Sequence, residues 1–410
     1  EGFTYRDLFV LHTATGGIHA LVLLFQKNQR DETVIPCPAC WTFQVEGNSY
    51  PAFGVKSWEC RNPICPERSI YNRGKRYSLK GLMTQAAIDD IGNEIPVPSV
   101  RRWHRDVVAD ASVDDAVEML TRHYSMRNDV VALIDFESDA ANDLGRRVRH
   151  EKAERRGRSS RFWSSPFFAR YVREDAQQVP AQRLLPKVDP WALIQGDSRE
   201  VLARWPDDVV DRAVTSPPYF NARDYSQWPN LYCYLYDMYN LHRELFRVLK
   251  PGALYCFNIF DYFDNERIVT FSLMGKKRVA LSSLFVDMFR RVGFRFLGTT
   301  VWDKGDVQGK RSFNAGNFSP FYQAPLNCWE HILVFAKPGS GGLSEGIPIN
   351  QVVRIPPVVK MVRGENRHGH TAPFPIELPT LLCAGLPEGG LVLDLFAGSG
   401  TTARAALGMG

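Results

Sequence analysis

The chain has 410 residues, 44% of them hydrophobic and 12% aromatic, with a formal net charge of +5. One hydrophobic core stops growing at about 250 to 300 residues, so two or three domains are expected, and the apolar content excludes a disordered chain. The apolar run Ala20 to Phe25 falls far short of the roughly 20 residues of a membrane span, and no basic leader with a cleavage site precedes it; neither membrane insertion nor secretion is indicated, which points to the cytoplasm.

Residues 1–30 read as an amphipathic helix, with Thr4 as its cap, Asp7 in its first turn, and Leu8, Leu11 and His12 opening an apolar-leaning face; Gly16 and Gly17 work against it. From Val34 to Ser69 the chain turns rich in Cys, Pro, Gly and aromatics without helical period, as in a small module stapled by a metal. Cys37 and Cys40 form a C-x2-C pair, and after a loop of nineteen residues Cys60 and Cys65 form a C-x4-C pair. Four thiolates so spaced can close a tetrahedral zinc site that substitutes for a core, although the second pair is wider than the usual two-residue gap; disulfides or free thiols are the alternative. Trp41, Phe43, Tyr50, Phe53 and Trp58, with Arg61, Arg68, Arg73 and Lys75, decorate this module, either as contacts to a partner or as its packing. The other cysteines, Cys233, Cys256, Cys328 and Cys383, stand in apolar stretches and read as small core residues.

Helical spacing returns at Val113, Ala116, Val117 and Leu120. Arg146, Arg147, Arg149, Lys152, Arg155, Arg156, Arg158 and Arg161 then face only Glu151 and Glu154. Alone, such a run is a solvated face or a linker; beside a nucleic-acid enzyme it reads as phosphate contact. The expected division is 1–95 (helix and zinc-ribbon-like module), 96–185 (helical, basic, DNA-contacting) and 186–410.

After Pro186 strands alternate with helices. Ala192 to Ile194, Val209 to Val214, Ala253 to Phe260, Phe296 to Trp302 and Ile332 to Ala336 read as strands, and Leu231 to Leu249 and Leu281 to Arg291 as helices. That alternation predicts an α/β fold with a largely parallel, doubly wound sheet, with ligands beyond the carboxyl ends of the strands. Leu391 to Thr402 reads as a buried strand, a glycine turn and a helix beginning near Thr401; the glycines permit close ligand approach, and the absence of a following Lys argues against a phosphate-cradling P-loop. Thr215-Ser216-Pro217-Pro218-Tyr219 ends another strand. Its prolines fix the backbone, Ser216 and the Pro217 carbonyl can accept hydrogens from an exocyclic amine, and Tyr219 can stack on a base swung out of a duplex. Taken alone, it could also be an ordinary proline turn with a packed tyrosine.

Thr215 to Tyr219 resembles motif IV, and Asp394 to Thr402 motif I, of the amino-methyltransferases that modify N4 of cytosine or N6 of adenine in DNA. The order, catalytic motif first, is similar to the circularly permuted β class, and Leu249 to Gly252, Trp329 to Phe335 and His370 to Pro375 match as well, so that the resemblance spans about residues 190 to 410. It implies a Rossmann-like methyltransferase sheet, beside an N-terminal zinc-binding and helical region, acting on double-stranded DNA with S-adenosylmethionine as methyl donor. By position, Ser216, Pro217, Pro218 and Tyr219 would be catalytic. Asp394, Phe396, Gly398 and Gly400 would form the methionine side of the cofactor pocket, with Thr401, Thr402 and Phe374 completing it. Asp197 aligns with an acid that often opens such domains, and equally suits a helix cap. Ser-Pro-Pro-Tyr is more typical of cytosine N4 enzymes and Asp-Pro-Pro-Tyr of adenine N6 enzymes, so Ser216 favours cytosine. A non-catalytic DNA-recognition subunit is the competing reading, and a restriction or defence-system partner is compatible with either. The interval from Pro338 to His370 is short for reading several base pairs, which assigns part of that task to residues 1–185. The chain stops just after the first helix of the cofactor half, before the acid and strands such a domain would need, and so reads as a fragment.

Overall fold

The computed structural model of the chain describes residues 3–27, 35–50, 55–152, 182–220, 226–229, 231–263, 278–306, 327–339, 346–358, 361–362, 365–366 and 375–409. The N-terminal segment is a hairpin and not the expected helix: β1 (Phe3–His12) runs antiparallel to β2 (Ile18–Lys27). In β2 the period is two, with Ala20 and Val22 packed inward and Leu21, Leu23 and Phe25 exposed. In β1, Leu8, Phe9, Val10 and Leu11 are all buried, a continuous apolar run in which periodicity does not separate strand from helix. Gly16, at φ +88°, makes the turn between them. This turn hooks onto the second half of the chain, because the Val352 N–H donates to the Gly16 carbonyl at 2.7 Å, and a Cβ at Gly16 would lie 3.0 Å from the Val352 oxygen.

Strands β3 (Val45–Tyr50), β4 (Val55–Cys60) and β5 (Arg76–Ser78) form an antiparallel meander that carries the clustered cysteines. Strand β6 (Val107–Ala109) pairs in parallel with β1, across the boundary expected at residue 95. A capping box of Ser112 and Asp115 starts the helix Val113–Tyr124, whose Ala116 and Met119 pack with Phe9 and Leu11 of β1. Strands β7 (Val130–Ile134) and β8 (Arg147–Glu151) form a parallel pair. Arg146, expected among the phosphate-contacting basics, is instead buried and donates to the carbonyls of Thr121, Ser125 and Leu144. Arg147 and Arg149 are exposed; residues 153–161 lie outside the described residues.

The second half is built on β9 (Val210–Thr215), β10 (Leu249–Ile259), the short antiparallel pair β11 (Tyr262–Phe263) and β12 (Arg278–Val279), then β13 (Arg295–Asp303), β14 (Trp329–Ala336), β15 (Val352–Arg354), the pair β16 (Met361–Val362) and β17 (Glu365–Asn366), and β18 (Val392–Leu393). Six of these form one sheet in the order β15-β13-β14-β10-β9-β18. As expected it is largely parallel, with five of its six strands running one way: β18, β9 and β10 are parallel, β15 is parallel to β13, and β14, antiparallel to both β10 and β13, is the one reversed strand. Strand alternation divides the core between two faces. Ala213, Tyr255, Phe257, Leu333 and Phe335 pack under the helices Leu231–Val248 and Leu281–Val292 on one face, while Val214, Leu254, Cys256, Ile332 and Val334 pack against Leu378 and Leu382 on the other. Helices on both faces make this an α/β sheet of the doubly wound, Rossmann-like kind. Among the described residues no helix is long and apolar enough to cross a membrane.

Two expected strands differ. Ala192 to Ile194 has no strand partner, and Leu193 is 72% exposed, because β18 is the sheet's edge and nothing described pairs with its outer side. Strand β18 itself is two residues long and half-buried, where a buried strand was expected.

Arg212 of β9 is fully buried, and its Nη1 donates to the carbonyls of Leu382 (2.9 Å) and Ala384 (2.8 Å) at the end of the helix Glu377–Leu382. Arg212→Met keeps the bulk but leaves those acceptors without the guanidinium, and should lower stability by about 3 kcal/mol. Urea unfolding measures this, and a loss below about 0.5 kcal/mol, the scale of ordinary surface substitutions, would refute the assignment.

Candidate active site

Strands β9 and β18 are parallel neighbours, with Arg212 opposite Val392 and Ala213 opposite Leu393, so the loops leaving them emerge side by side. The Ser-Pro-Pro-Tyr loop follows one and the glycine turn the other. They are joined directly, since the Thr215 hydroxyl donates to Asp394 Oδ1 at 2.6 Å. The Thr402 hydroxyl donates to Asp394 Oδ2 at 2.7 Å and the Phe396 N–H to Oδ1 at 3.0 Å. Burial pushes the Asp394 carboxyl above the ordinary range, and these three donors offset that only in part. Among the described residues no basic side chain pairs with it.

Gly398 (φ +52°) and Gly400 (φ +76°) hold left-handed backbone, and a Cβ at Gly400 would meet nothing within 4 Å. The glycine there serves the backbone path and not a crowded neighbour. Ser198 donates to the Leu395 carbonyl at 2.7 Å, tying the helix Ser198–Ala203 to the turn. Asp197 caps that helix, accepting from the backbone N–H groups of Arg199 and Glu200, between Gly196 and Ser198 of the cleft lining. Thr401 is buried, its hydroxyl 3.1 Å from that of Ser399. Phe374 lies outside the described residues.

A cleft of about 2140 Å³ is lined by Ser216 to Tyr219 on one side and by Leu391 to Thr402 on the other. Its floor carries residues that motif reading missed: Asn258 at the end of β10, Lys304 just after β13, and Glu330 in β14. The Ser216 hydroxyl donates to Asn258 Oδ1 at 3.0 Å, and Asn258 Nδ2 donates to the His331 carbonyl at 3.0 Å. The Tyr219 hydroxyl donates to Glu330 Oε2 at 2.7 Å and lies 3.1 Å from Asn258 Oδ1. Lys304 pairs with the other Glu330 oxygen and sits 4.5 Å from the centre of the Trp302 ring. Burial opposes the Glu330 charge, but Lys304 and the hydroxyl of Tyr219 outweigh it, so the carboxyl sits below its usual range. Burial and the neighbouring Glu330 push the Tyr219 phenol well above its own. Tyr219 therefore lines the cleft with its hydroxyl tethered. Asn258 was visible as the polar residue of an apolar strand, and Glu330 as the acid inside the Trp329 to Phe335 stretch.

Away from the cleft, the sulfur atoms of Cys37, Cys40, Cys60 and Cys65 all lie within 4.8 Å of one another. Cys37 and Cys65 are 3.9 Å apart, and Cys40 and Cys60 3.7 Å. A disulfide requires about 2.05 Å. Tetrahedral zinc with Zn–S bonds of about 2.3 Å places its sulfurs roughly 3.8 Å apart.

A family model described as DNA methylase matches residues 210–410. The Type II beta methyltransferase M.BslI of Bacillus sp. (strain NEB-606) is 37% identical over 452 aligned residues, covering 98% of this chain and 50% of that protein. The Type II methyltransferase M.MjaI of Methanocaldococcus jannaschii is 26% identical over 259 residues, covering 52% of this chain and 82% of that one. Among solved structures, the cytosine-N4-specific PvuII DNA methyltransferase is 19% identical with a TM-score of 0.41, covering 52% of this chain and 76% of that chain. The chain spans about half the length of M.BslI.

Proposed function

Because the chain belongs, through residues 210–410, to the DNA methylase family, we propose that it transfers a methyl group from S-adenosylmethionine to the exocyclic amino nitrogen of a flipped DNA base, cytosine N4. The observation that carries this reading is the convergence of the Ser-Pro-Pro-Tyr loop and the glycine turn on one cleft, joined by the Thr215 to Asp394 hydrogen bond.

S-adenosylmethionine, when bound, supplies an electrophilic methyl group on a positively charged sulfur. The residues fit such a ligand: Asp394 is a largely buried carboxylate with hydroxyl and amide donors but, among the described residues, no cation, which suits a ligand carrying positive charge, and the open space over Gly400 admits one closely. Phe396 offers an apolar wall. On the other side, the exocyclic amine is a weak nucleophile because its lone pair is delocalised into the ring. Ser216 and the Pro217 carbonyl accept its hydrogens, Tyr219 stacks on the base, and Pro217 and Pro218 keep their loop from relaxing. In-line transfer needs no covalent enzyme intermediate, so most of the acceleration comes from alignment. Ser216, in the position where adenine enzymes more often carry Asp, supports cytosine.

Four thiols at tetrahedral spacing support a structural zinc ion held by Cys37, Cys40, Cys60 and Cys65 as part of the same proposal.

The test is methyl incorporation from labelled S-adenosylmethionine into unmodified DNA, followed by digestion to nucleosides and mass spectrometry. The expected product is N4-methylcytosine, with Pro217→Ala reducing the rate at least about 100-fold. N6-methyladenine would transfer the reading to adenine. Specific DNA binding with no methyl transferred would make the chain a recognition subunit and end the proposal.

A further inference from the structure

The floor of the cleft is held from outside the large sheet. Strand β6 pairs with β1, and the Val10 N–H donates to the Asp106 carbonyl at 2.7 Å, which fixes Arg105 and Asp106 at the start of β6. An apolar seam joins this N-terminal sheet to the large one: Tyr5, Leu8, Val10 and Val107 pack with Val301 and Trp329. Polar side chains cross the seam as well. Arg105 pairs with Asp303 and Asp306, the Asp106 carboxylate accepts from Asn327 Nδ2, and the Tyr5 hydroxyl donates to Asp261 at 3.0 Å. Each of these contacts falls beside a residue of the cleft. Asp303 directly precedes Lys304, and its Oδ1 also accepts from the Gly305 N–H at 2.9 Å, so the carboxylate that Arg105 holds spans the backbone of Lys304. The Lys304 N–H donates to the Cys328 carbonyl at 2.8 Å, between Asn327 and Glu330. Asp261 directly follows Phe260 of the cleft lining, accepts from Ser282 and stands 3.5 Å from His331 Nε2.

We propose that Tyr5, Arg105 and Asp106 are positioning residues of the methyl-transfer site, by which the N-terminal half holds the strand ends carrying Asn258, Lys304 and Glu330 in the register the cleft requires. The inference rests on the function proposed above and extends it to the N-terminal half. An interface that only joined two halves could place its polar groups anywhere along the seam, and buried ion pairs are weak devices for stability alone. Here they converge on the end of β10, the end of β13 and the start of β14. Arg105 acts through Asp303 on Lys304, which pairs with Glu330, and Glu330 tethers the Tyr219 hydroxyl. A displacement of about 1 Å at such a group can slow a reaction about 100-fold.

The test is Arg105→Gln in the full chain, with Arg105→Lys as the conservative variant and Leu8→Ala, which thins the same seam without touching its polar contacts, as the control. In Arg105→Gln, kcat for methyl transfer into DNA should fall at least about ten-fold while KM for DNA changes less than about two-fold. Arg105→Lys, which keeps the charge, should return kcat to within about three-fold of the unaltered chain. Leu8→Ala, assayed below its unfolding transition, should keep its kcat. Hydrogen exchange, which needs no activity, should rise in Arg105→Gln at residues 303–306 and 327–331 while β9 stays protected. Equal loss of kcat in Leu8→Ala, a change in KM in place of kcat, or unchanged exchange at those segments would overturn the inference. If Arg105→Gln does not fold, Tyr5→Phe, which removes one oxygen, puts the same question at Asp261. There a kcat lowered about three-fold or more, with faster exchange at 258–263, supports the inference, and no change in either overturns it. If the unaltered chain transfers no methyl, the functional reading fails, and exchange alone still decides whether the N-terminal half holds the cleft.

Discussion

Asp394→Asn should weaken S-adenosylmethionine binding about 100-fold or more while leaving the ligand-free protein no less stable at neutral pH. The first half follows from charge. A carboxylate that is largely buried, held by Thr215, Thr402 and the Phe396 amide, and lacking a basic partner among the described residues is an anion kept for a cationic ligand; removing one partner of a desolvated charge pair costs about 2 to 5 kcal/mol. The second half follows from linkage. The folded-state pKa of Asp394 is raised, so its contribution to stability is fully present below the unfolded value and is lost as pH rises through the folded one. At neutral pH the ionised group burdens the empty fold, and a neutral amide lifts that burden. Calorimetric titration with the cofactor and urea unfolding at pH 7 measure the two halves separately. A variant that binds normally would remove Asp394 from the cofactor site, whereas one that fails to fold would show that the carboxylate is an ordinary structural group.

The same residues mark how far the sequence was legible. The glycine turn and the proline loop carry their backbone requirements in local residue types, and the structure brings both to one cleft. What local patterns cannot carry is partnership between distant strands. The hairpin β1–β2 was misread because a strand buried on both faces lacks alternation, and the burial of Leu8 to Leu11 depends on β6 and on the helix Val113–Tyr124, roughly a hundred residues later. The Glu330–Lys304–Tyr219 triad was invisible for a related reason: its members come from three separate segments, 26 and 111 residues apart, and only the antiparallel pairing of β13 with β14 brings the first two together.

Removing metal from the cysteine cluster should produce the largest structural change, confined to one module. The buried core around Cys37, Cys60 and Cys65 is made of the cysteines themselves, with Ala39, Cys40, Val45 and Tyr77 packed against them. A core this small does not outweigh the entropy of ordering a three-stranded meander, and structural zinc in comparably small modules contributes on the order of 10 kcal/mol. The purified protein should therefore carry one zinc per chain by emission spectrometry. A strong chelator, or Cys60→Ser, should raise hydrogen exchange through β3, β4 and β5 to the level of an unfolded segment. Strands β9, β10 and β14 should stay protected, since their cores are separate clusters that include no residue of the meander. Thiol labelling adds an independent reading, because the four clustered cysteines should resist modification until the metal is withdrawn and then react together. Protein that contains no metal yet keeps the meander protected would mean that hydrogen bonds and Tyr77 packing suffice. The thiol spacing of 3.7 and 3.9 Å would then record close packing and not coordination.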